Sequence, residues 1–519
     1  MPWRISSVDR IALSLPGKTH RTHVRCATRD TFSPHPSLAR IVAPSLLTRA
    51  LTIAALVTGS AALPLGGQDR PAADRRRYLD TAITRTTDDP RRTPVAPERR
   101  SGPERVVVVR GGRVFDGTGA AAREGTLVIT GNRITAILAP NAASTWPRDA
   151  RVIDATAKTV MPGLIDLHTH LSYVNPGVDP GRVTDAADGA LRGAERLRYY
   201  IESGITSVRD VGSFGSIAMI LKDWVREDRI PGPRVFAAGQ LIVGLGGHGA
   251  EGDQGTSPLG STVRIATGPD DWRRAVREQF NNGADVIKIA SHFSAEEVSA
   301  AVSEAHTLGL RITCDCETIY VDRAVDAGVD MIEHPLPRSD EVIAKMAAKG
   351  IASDPTLVPY EIIFDQAGGY WGSTSRRFTF SKAENLQMLR RLRRAGVKLG
   401  IGTDLVSDWF RYLPAPYLLE MQRFQEAGFT AAEVLAIATR QNAELLDMDD
   451  KLGTLAVGKL ADVLIVNGRP DVALDDITKV DVVIRNGTIV VENGRVSIPR
   501  HVPSPMPKAG ATSSGSSSR

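Results

Sequence analysis

Through the middle of this 519-residue chain, strand and helix patterns alternate about eight times. Short β-rich runs broken by Gly-Gly, Gly-Asn and Asn-Gly turns flank that stretch on both sides. Together these predict an α/β fold: a (β/α)8 TIM barrel with a small β-sandwich domain built from segments on both sides of the barrel. A third observation marks where the barrel begins. The run Met161-Pro162-Gly163-Leu164-Ile165-Asp166-Leu167-His168-Thr169-His170 is an apolar strand that ends in two histidines one residue apart.

The N-terminal part is read first by composition. Residues 1–45 are rich in Arg, Ser and Pro and show no periodicity, and 46–66 hold a short apolar run behind Arg40 and Arg49. That run is too short to span a bilayer securely. With the small residues Gly59, Ser60, Ala61 and Ala62 behind it, it reads as a signal-peptide-like leader over 1–66. Some 45 residues precede the apolar run, so either translation starts downstream of Met1 or the basic n-region is long. The expected localisation is exported, periplasmic or secreted after leader removal, and cytoplasmic if the leader is not functional. Residues 67–104, rich in Arg, Pro, Asp and Thr, read as a disordered linker.

Charge and cysteines narrow the class. The net charge of +5 comes from residues 1–104, which carry 17 Lys and Arg against 9 Asp and Glu, leaving 47 against 50 elsewhere. The folded body is therefore not basic, which argues against nucleic-acid binding. Cys26, Cys314 and Cys316 make no disulfide framework.

From Val106 the runs RVVVVRGGRVFDGTG, GTLVITGNRITAILA and ARVIDATAKTVMPG predict the first part of the sandwich over 105–160. GTLAVGKLADVLIVNG and KVDVVIRNGTIVVENGRV predict its second part over 451–500, with Asn-Gly pairs at the tight turns. The barrel is expected over 161–450. Its helix patterns end in Gly204, Gly283, Gly309, Gly328, Gly350 and Gly396, the residue type favoured just past a helix C-terminus. Residues 501–519 read as a disordered tail.

In such barrels the chemistry sits at the C-terminal ends of the strands. Strand one ends in His168 and His170, which share a side because successive side chains alternate. Strand two ends in Arg209 and Asp210. Strand four carries Lys288 inside Val286-Ile287-Lys288-Ile289-Ala290, strand six ends in His334, and strand eight ends in Asp404. Three imidazoles and a carboxylate on one rim suit zinc, and also manganese or iron. A lysine inside an apolar strand needs a partner or neutralisation. His306, in a helix, reads as a surface residue. The loop Gly244-Leu245-Gly246-Gly247-His248-Gly249 could bring His248 to a substrate, and the segment from Pro359 to Phe380 could form a lid with Tyr360, Tyr370, Trp371, Arg376 and Arg377.

The strand-one motif, with the split β segments, resembles the amidohydrolase superfamily of metal-dependent hydrolases, in its imidazolonepropionase-like and prolidase-like branch, over roughly residues 105 to 500. The resemblance implies that Lys288 is carboxylated by carbon dioxide, turning a cation into an anion able to bridge two ions. It also implies a histidine at the end of strand five. Here that stretch is Ile312-Thr313-Cys314-Asp315-Cys316-Glu317, and Asp315 is preferred as the replacement, with Cys314 and Cys316 on the opposite side.

The implied function is a metal-dependent amidohydrolase that cleaves an amide-type C–N bond with metal-activated water, in a dipeptide (Xaa-Pro-like) or an N-acyl amino acid. His168, His170 and Asp404 hold one divalent ion in that reading. Lys288, His334 and Asp315 complete a second site, and Asp404 serves as base and then acid. The alternative is a catalytically degenerate metal-binding barrel that binds a ligand or partner. The expected partners are a small-molecule substrate and further copies of the chain, with no nucleic acid and no stable membrane span in the mature chain.

Overall fold

The structure, a computed structural model, describes residues 105–497 apart from 141, 143–144, 174–185, 251–261, 318 and 368–380. The leader, linker and tail expected at 1–66, 67–104 and 501–519 lie outside the described residues, as do Tyr370, Trp371, Arg376 and Arg377. The described part belongs to the second of two compact units of the chain, Arg70–Arg519.

Alternating apolar residues make both flanking segments strands, and neither segment can bury its apolar face alone. The first supplies β1 (Val106–Val114), β2 (Arg123–Thr130), β3 (Arg133–Leu138), β4 (Arg151–Asp154) and β5 (Thr159–Pro162). Between the segments lie the parallel strands β6 (Leu164–Thr169), β7 (Ile205–Asp210), β8 (Arg234–Ala237), β9 (Leu241–Val243), β10 (Val263–Ile265), β11 (Val286–Ala290), β12 (Arg311–Asp315), β13 (Met331–Glu333) and β14 (Ala352–Asp354). The second segment supplies β15 (Val463–Val466), β16 (Val480–Arg485), β17 (Thr488–Glu492) and β18 (Arg495–Val496).

The two ends of the chain join in one nine-stranded sheet, β18-β17-β16-β15-β5-β1-β2-β3, with β4 beside β1. The seam is antiparallel, with Ile465 opposite Val160. Side-chain alternation gives this sheet two employed faces. Val463 and Ile465 pack with Val107, Val109, Leu127 and Ile129, whereas Leu464 and Val466 face the other way into the large core under the helices.

The central strands form the sheets β6-β7-β8 and β10-β9-β11-β12-β13-β14. Residues 398–404 run between them. Gly400 N donates to Ser353 O (2.8 Å), Leu167 N to Ile401 O (3.1 Å) and Asp404 N to His168 O (2.8 Å). On the other flank Asp285 N donates to Ala237 O (2.7 Å). The helices are α1 (Ala186–Glu202), α2 (Ile217–Arg226), α3 (Pro269–Asn282), α4 (Ala295–Thr307), α5 (Ile319–Ala327), α6 (Asp340–Lys349), α7 (Leu357–Ala367), α8 (Lys382–Arg394), α9 (Ala415–Glu426), α10 (Ala431–Ala436) and α11 (Asn442–Leu445).

Local sequence explains their limits. Ser294 with Glu297, Ser381 with Glu384, and Thr430 with Glu433 form reciprocal capping boxes at the starts of α4, α8 and α10. The six glycines expected past helix ends all have positive φ.

Three features depart from the sequence reading. The short strands β9 and β10 follow strand three, where only a loop was expected. The helical stretch that follows Thr430, which the alternation of strand and helix patterns leaves as one helix, is interrupted by a π turn at Ile437–Gln441. The segment from Pro359, read as a loop, begins as helix α7. Leu357, Val358, Tyr360 and Ile362 lie in its first two turns. Proline is tolerated in a first helical turn, where its missing N–H has no intrahelical acceptor.

A buried ion pair ties the two layers together. Arg234 on β8 meets Asp462, just before β15, at 3.1 Å, and Asn486 N also donates to Asp462 (2.7 Å). Removing one partner strands a buried charge. Asp462→Ala should therefore cost roughly 3–5 kcal/mol, read as a lower midpoint of urea unfolding. An unchanged midpoint would show that the pair is dispensable.

Candidate metal centre

The site begins with how strand one is held. Asp166 is fully buried and accepts from His168 N (3.0 Å), Thr403 N (3.0 Å) and Thr403 Oγ1 (2.6 Å). Burial pushes its carboxyl up to about 6, against those hydrogen bonds. One side chain thus locks the end of β6 to residues 398–404, the segments that carry His168, His170 and Asp404. The pairing of β6 with β7 slips between Asp166 and Thr169.

The donors converge. His170 Nε2 lies 3.1 Å and His168 Nε2 3.4 Å from Asp404 Oδ1, while His334 Nδ1 lies 3.9 Å from Asp404 Oδ2. Ligand atoms of His168, His170 and Asp404 all fall within 4.8 Å of one another, close enough to share one ion. Burial opposes ionisation of Asp404, but His168, the His170 hydrogen bond and His334 outweigh it and hold the carboxyl well below the usual range. Burial, with Lys288 beside it, pushes His168 down to about 3, so this imidazole is neutral. A neutral imidazole is the form that binds metal.

Strands four and five complete the cluster. Lys288 is almost fully buried, and its Nζ lies 3.3 Å from His168 Nε2 and 4.0 Å from Asp315 Oδ2. Asp315 also sits 3.1 Å from His334 Nε2. It therefore stands where the strand-five reading placed it, facing the cluster. Cys314 and Cys316 turn the other way into the core and are joined as a disulfide, with Cα atoms 5.3 Å apart. This is a local link across one residue, not a framework.

Beneath the cluster lies a charged layer that sequence reasoning missed. Glu333 is fully buried; Oε2 lies 2.9 Å from His168 Nδ1, and Oε1 receives Arg209 Nη2 at 2.7 Å and the Thr313 hydroxyl. Burial alone would raise the Glu333 carboxyl, but Arg209 and His168 hold it well below the usual range. Asp354 is fully buried beside them, 3.6 Å from Arg209, and neither of its oxygens makes a hydrogen bond. Burial and the neighbouring Glu333 charge push it well up, toward the neutral acid.

Glu333 ends β13 and His334 follows it, so continued alternation would send them to opposite faces. His334 has φ of 65°, in the left-handed region, which turns the chain so that both reach the centre. Asp404 (φ 48°) and Thr356 (φ 43°) show the same device at other strand ends. No pattern of residue types announces it, although the adjacency of Glu333 to His334 was a signal available in the sequence.

The rim residues divide. His248 reaches the cluster, 3.5 Å from Asp315. Tyr360 lies in α7, is 3% exposed, and its ring is tilted 5.8 Å from the His334 ring, beside the centre. Tyr173 and Phe214 stack beside His170, an aromatic wall that was not expected. His306 is exposed and pairs with Asp330, away from the centre.

The model of the amidohydrolase family matches residues 159–490. The chain belongs to the amidohydrolase family. It is 27% identical over 417 residues to an ochratoxinase of Aspergillus niger, covering 72% of this chain and 83% of that protein. It is 25% identical over 386 residues to an imidazolonepropionase of Geobacillus sp. strain WCH70, covering 67% and 84%. A crystal structure of a Xaa-Pro dipeptidase with methionine bound in its active site superposes with a TM-score of 0.67 at 28% identity, covering 74% of this chain and 99% of that one. This amidohydrolase is thus a hydrolase of C–N bonds with a TIM-barrel-like α/β fold and a candidate divalent-metal site. A degenerate binding barrel is not favoured. Among the described residues no helix is long and apolar enough to cross a membrane.

One buried group near the centre yields a pH test. Glu420 on α9 accepts from Val358 N (3.0 Å) at the start of α7, and its other oxygen makes no hydrogen bond. Burial raises its carboxyl from 4.5 to about 8. A folded pKa above the unfolded value stabilises fully below 4.5, and that contribution is lost as pH rises through 8. Glu420→Gln keeps an acceptor for Val358 N without the charge. Its melting temperature relative to the parent chain should therefore rise between pH 5 and pH 8, and a pH-independent difference would contradict this assignment.

Proposed function

We propose that this amidohydrolase cleaves the amide C–N bond of an Xaa-Pro-like dipeptide or an N-acyl amino acid, at a centre for one or two divalent ions. The observation that carries the reading is the convergence of three imidazoles and Asp404 from three different strand ends, with Lys288 and Asp315 beside them. The donor set fits the group: neutral imidazole nitrogens and carboxylate oxygens are ligands for zinc, manganese or iron. His168, His170 and Asp404 would hold one ion. Asp315 and His334 would hold a second, with Lys288, as its carbamate, between the two. The carbamate also removes the conflict of an ammonium among these ligands. In the same reading residues 398–404 complete the eighth strand of a closed (β/α)8 barrel, and the nine-stranded sheet folds over as a small sandwich.

Bound there, a divalent ion lowers the pKa of water and polarises the scissile carbonyl. The chain's own groups do the rest. Asp404, held ionised and turned toward His168, His170 and His334, takes a proton from the attacking water. It then gives that proton to the leaving nitrogen, so that the amine departs neutral. His248, from the Gly-rich loop, and the wall of Tyr173 and Phe214 line the approach. They suit a substrate with a polar end and an apolar body. Similarity to a Xaa-Pro dipeptidase and an ochratoxinase supports amide-type substrates.

The test is metal analysis followed by a substrate panel of Xaa-Pro dipeptides and N-acyl amino acids. Two ions per chain and turnover of one panel member are expected. Asp404→Asn should then lower kcat by about 10²–10⁴-fold. Lys288→Ala should lose activity that acetate or formate partly restores. Metal-loaded protein inactive on the whole panel would overturn the substrate assignment, and a lack of rescue together with an unmodified lysine mass would remove the carbamate.

A further inference from the structure

We propose that Glu333 is a positioning residue that commits His168 to one tautomer, with the proton on Nδ1 and the Nε2 lone pair presented to the metal centre. The inference rests on the reading of that centre given above.

The geometry is specific. Glu333 Oε2 is 2.9 Å from His168 Nδ1 in a place no water reaches, since both side chains are fully buried. A carboxylate only accepts hydrogen bonds, so Nδ1 must donate. The other ring nitrogen, Nε2, is then an acceptor, with the Lys288 Nζ donor 3.3 Å away and Asp404 Oδ1, itself an acceptor, at 3.4 Å. Glu333 cannot swing away. Its second oxygen is held by Arg209 at 2.7 Å and by the Thr313 hydroxyl, and Arg209 is itself anchored to Leu167 O on the strand that bears His168.

The three imidazoles of the centre are oriented by three different groups. His170 Nδ1 lies 2.9 Å from Gly212 O, a carbonyl, so that Nδ1 donates there. His334 Nδ1 lies 2.7 Å from the Thr356 hydroxyl, which can donate or accept and so fixes nothing by itself. Among the three, His168 alone has a carboxylate within hydrogen-bond reach of its Nδ1. Because Glu333 directly precedes His334, a single strand end supplies a candidate ligand to one half of the centre and the orienting group to the other.

A rival use of the same residues is a further cation held by His168, Glu333 and Asp354, whose donor atoms cluster within 4.8 Å. The Arg209 guanidinium already sits 2.7 Å from Glu333 and 3.6 Å from Asp354. The positive charge of that layer is therefore supplied by the chain, which favours the orienting role.

The experiment uses the whole chain and two variants, Glu333→Gln and Glu333→Asp. Glutamine keeps the shape but can also donate to Nδ1, whereas aspartate keeps a charge near Arg209 but falls a methylene short of His168. Two readouts are taken: histidine ¹⁵N NMR of the zinc-free protein and the zinc dissociation constant by chelator competition. In the parent chain His168 should show the Nδ1–H tautomer. Both variants should bind zinc about 10–100-fold more weakly, and Glu333→Gln should show a mixed tautomer. An Nε2–H tautomer in the parent chain would overturn the proposal, as would parental zinc affinity in both folded variants. If the parent chain binds no zinc, the metal-centre reading fails on its own, and the tautomer signal still decides the role of Glu333. If neither variant folds, the parent tautomer decides it.

Discussion

Glu333 and Arg209 meet at 2.7 Å in the middle of the central strands, where neither touches solvent. Taking two charges out of water costs several kcal/mol per ion unless geometry and hydrogen bonds offset it. Here the offset is complete on the carboxylate side: Arg209 and Thr313 fill one oxygen and His168 the other. The interior below is conventional, with Ile165, Leu167, Phe236, Met331 and Ala352 packed as an apolar layer. The ionic layer stands between that core and the cluster of histidines. Its members come from β6, β7, β12, β13 and β14, so the strands cannot shift relative to one another without breaking a buried contact. Asp166 performs the same service at the junction of β6 with residues 398–404.

Holding side chains from five strand segments around one point also requires backbone conformations that ordinary strands do not have. His334, Asp404 and Thr356 all adopt positive φ where their strands end. Each such residue costs on the order of 1–3 kcal/mol and persists only where its surroundings impose it. The surroundings are visible: His334 N donates to Asp354 O, its ring contacts Thr356, and Asp404 N donates to His168 O. The strained residues are thus cross-linked to one another through the groups that form the centre. Precision at the rim and stability of the strand ends have the same source.

Strand five shows how a departure from the family pattern is absorbed. Asp315 places a carboxylate where an imidazole is the family expectation, 4.0 Å from Lys288 and 3.1 Å from His334. The cysteines on either side point away and pack in the outer core. A carboxylate in place of an imidazole therefore leaves the strand's outer face undisturbed, because alternation separates the two sets of side chains.

Much of this was legible from residue order. The helix-ending glycines, the Ser and Thr caps, the strand ends bearing His168, His170, Lys288, His334 and Asp404, and the pairing of the chain's two flanking segments all follow from local rules with fixed periods. So does the placement of Asp315 against its cysteine neighbours. What those rules could not reach depends on groups far apart in the chain. The helix that carries Tyr360 was read as loop, since its pairing with α9 through Glu420 is a long-range contact. Glu333 was missed because only His334 was taken from that strand end; alternation points Glu333 inward with Met331, and it is His334 that the left-handed backbone turns in. The partnership of Glu333 with Arg209 and His168 joins residues more than a hundred positions apart. Sequence by itself determined which side chains stand at the strand ends, since periodicity is a local property. Only the tertiary structure decided which of them are oriented, buried and neutral, since those are set by the low-dielectric interior that all the strands enclose together.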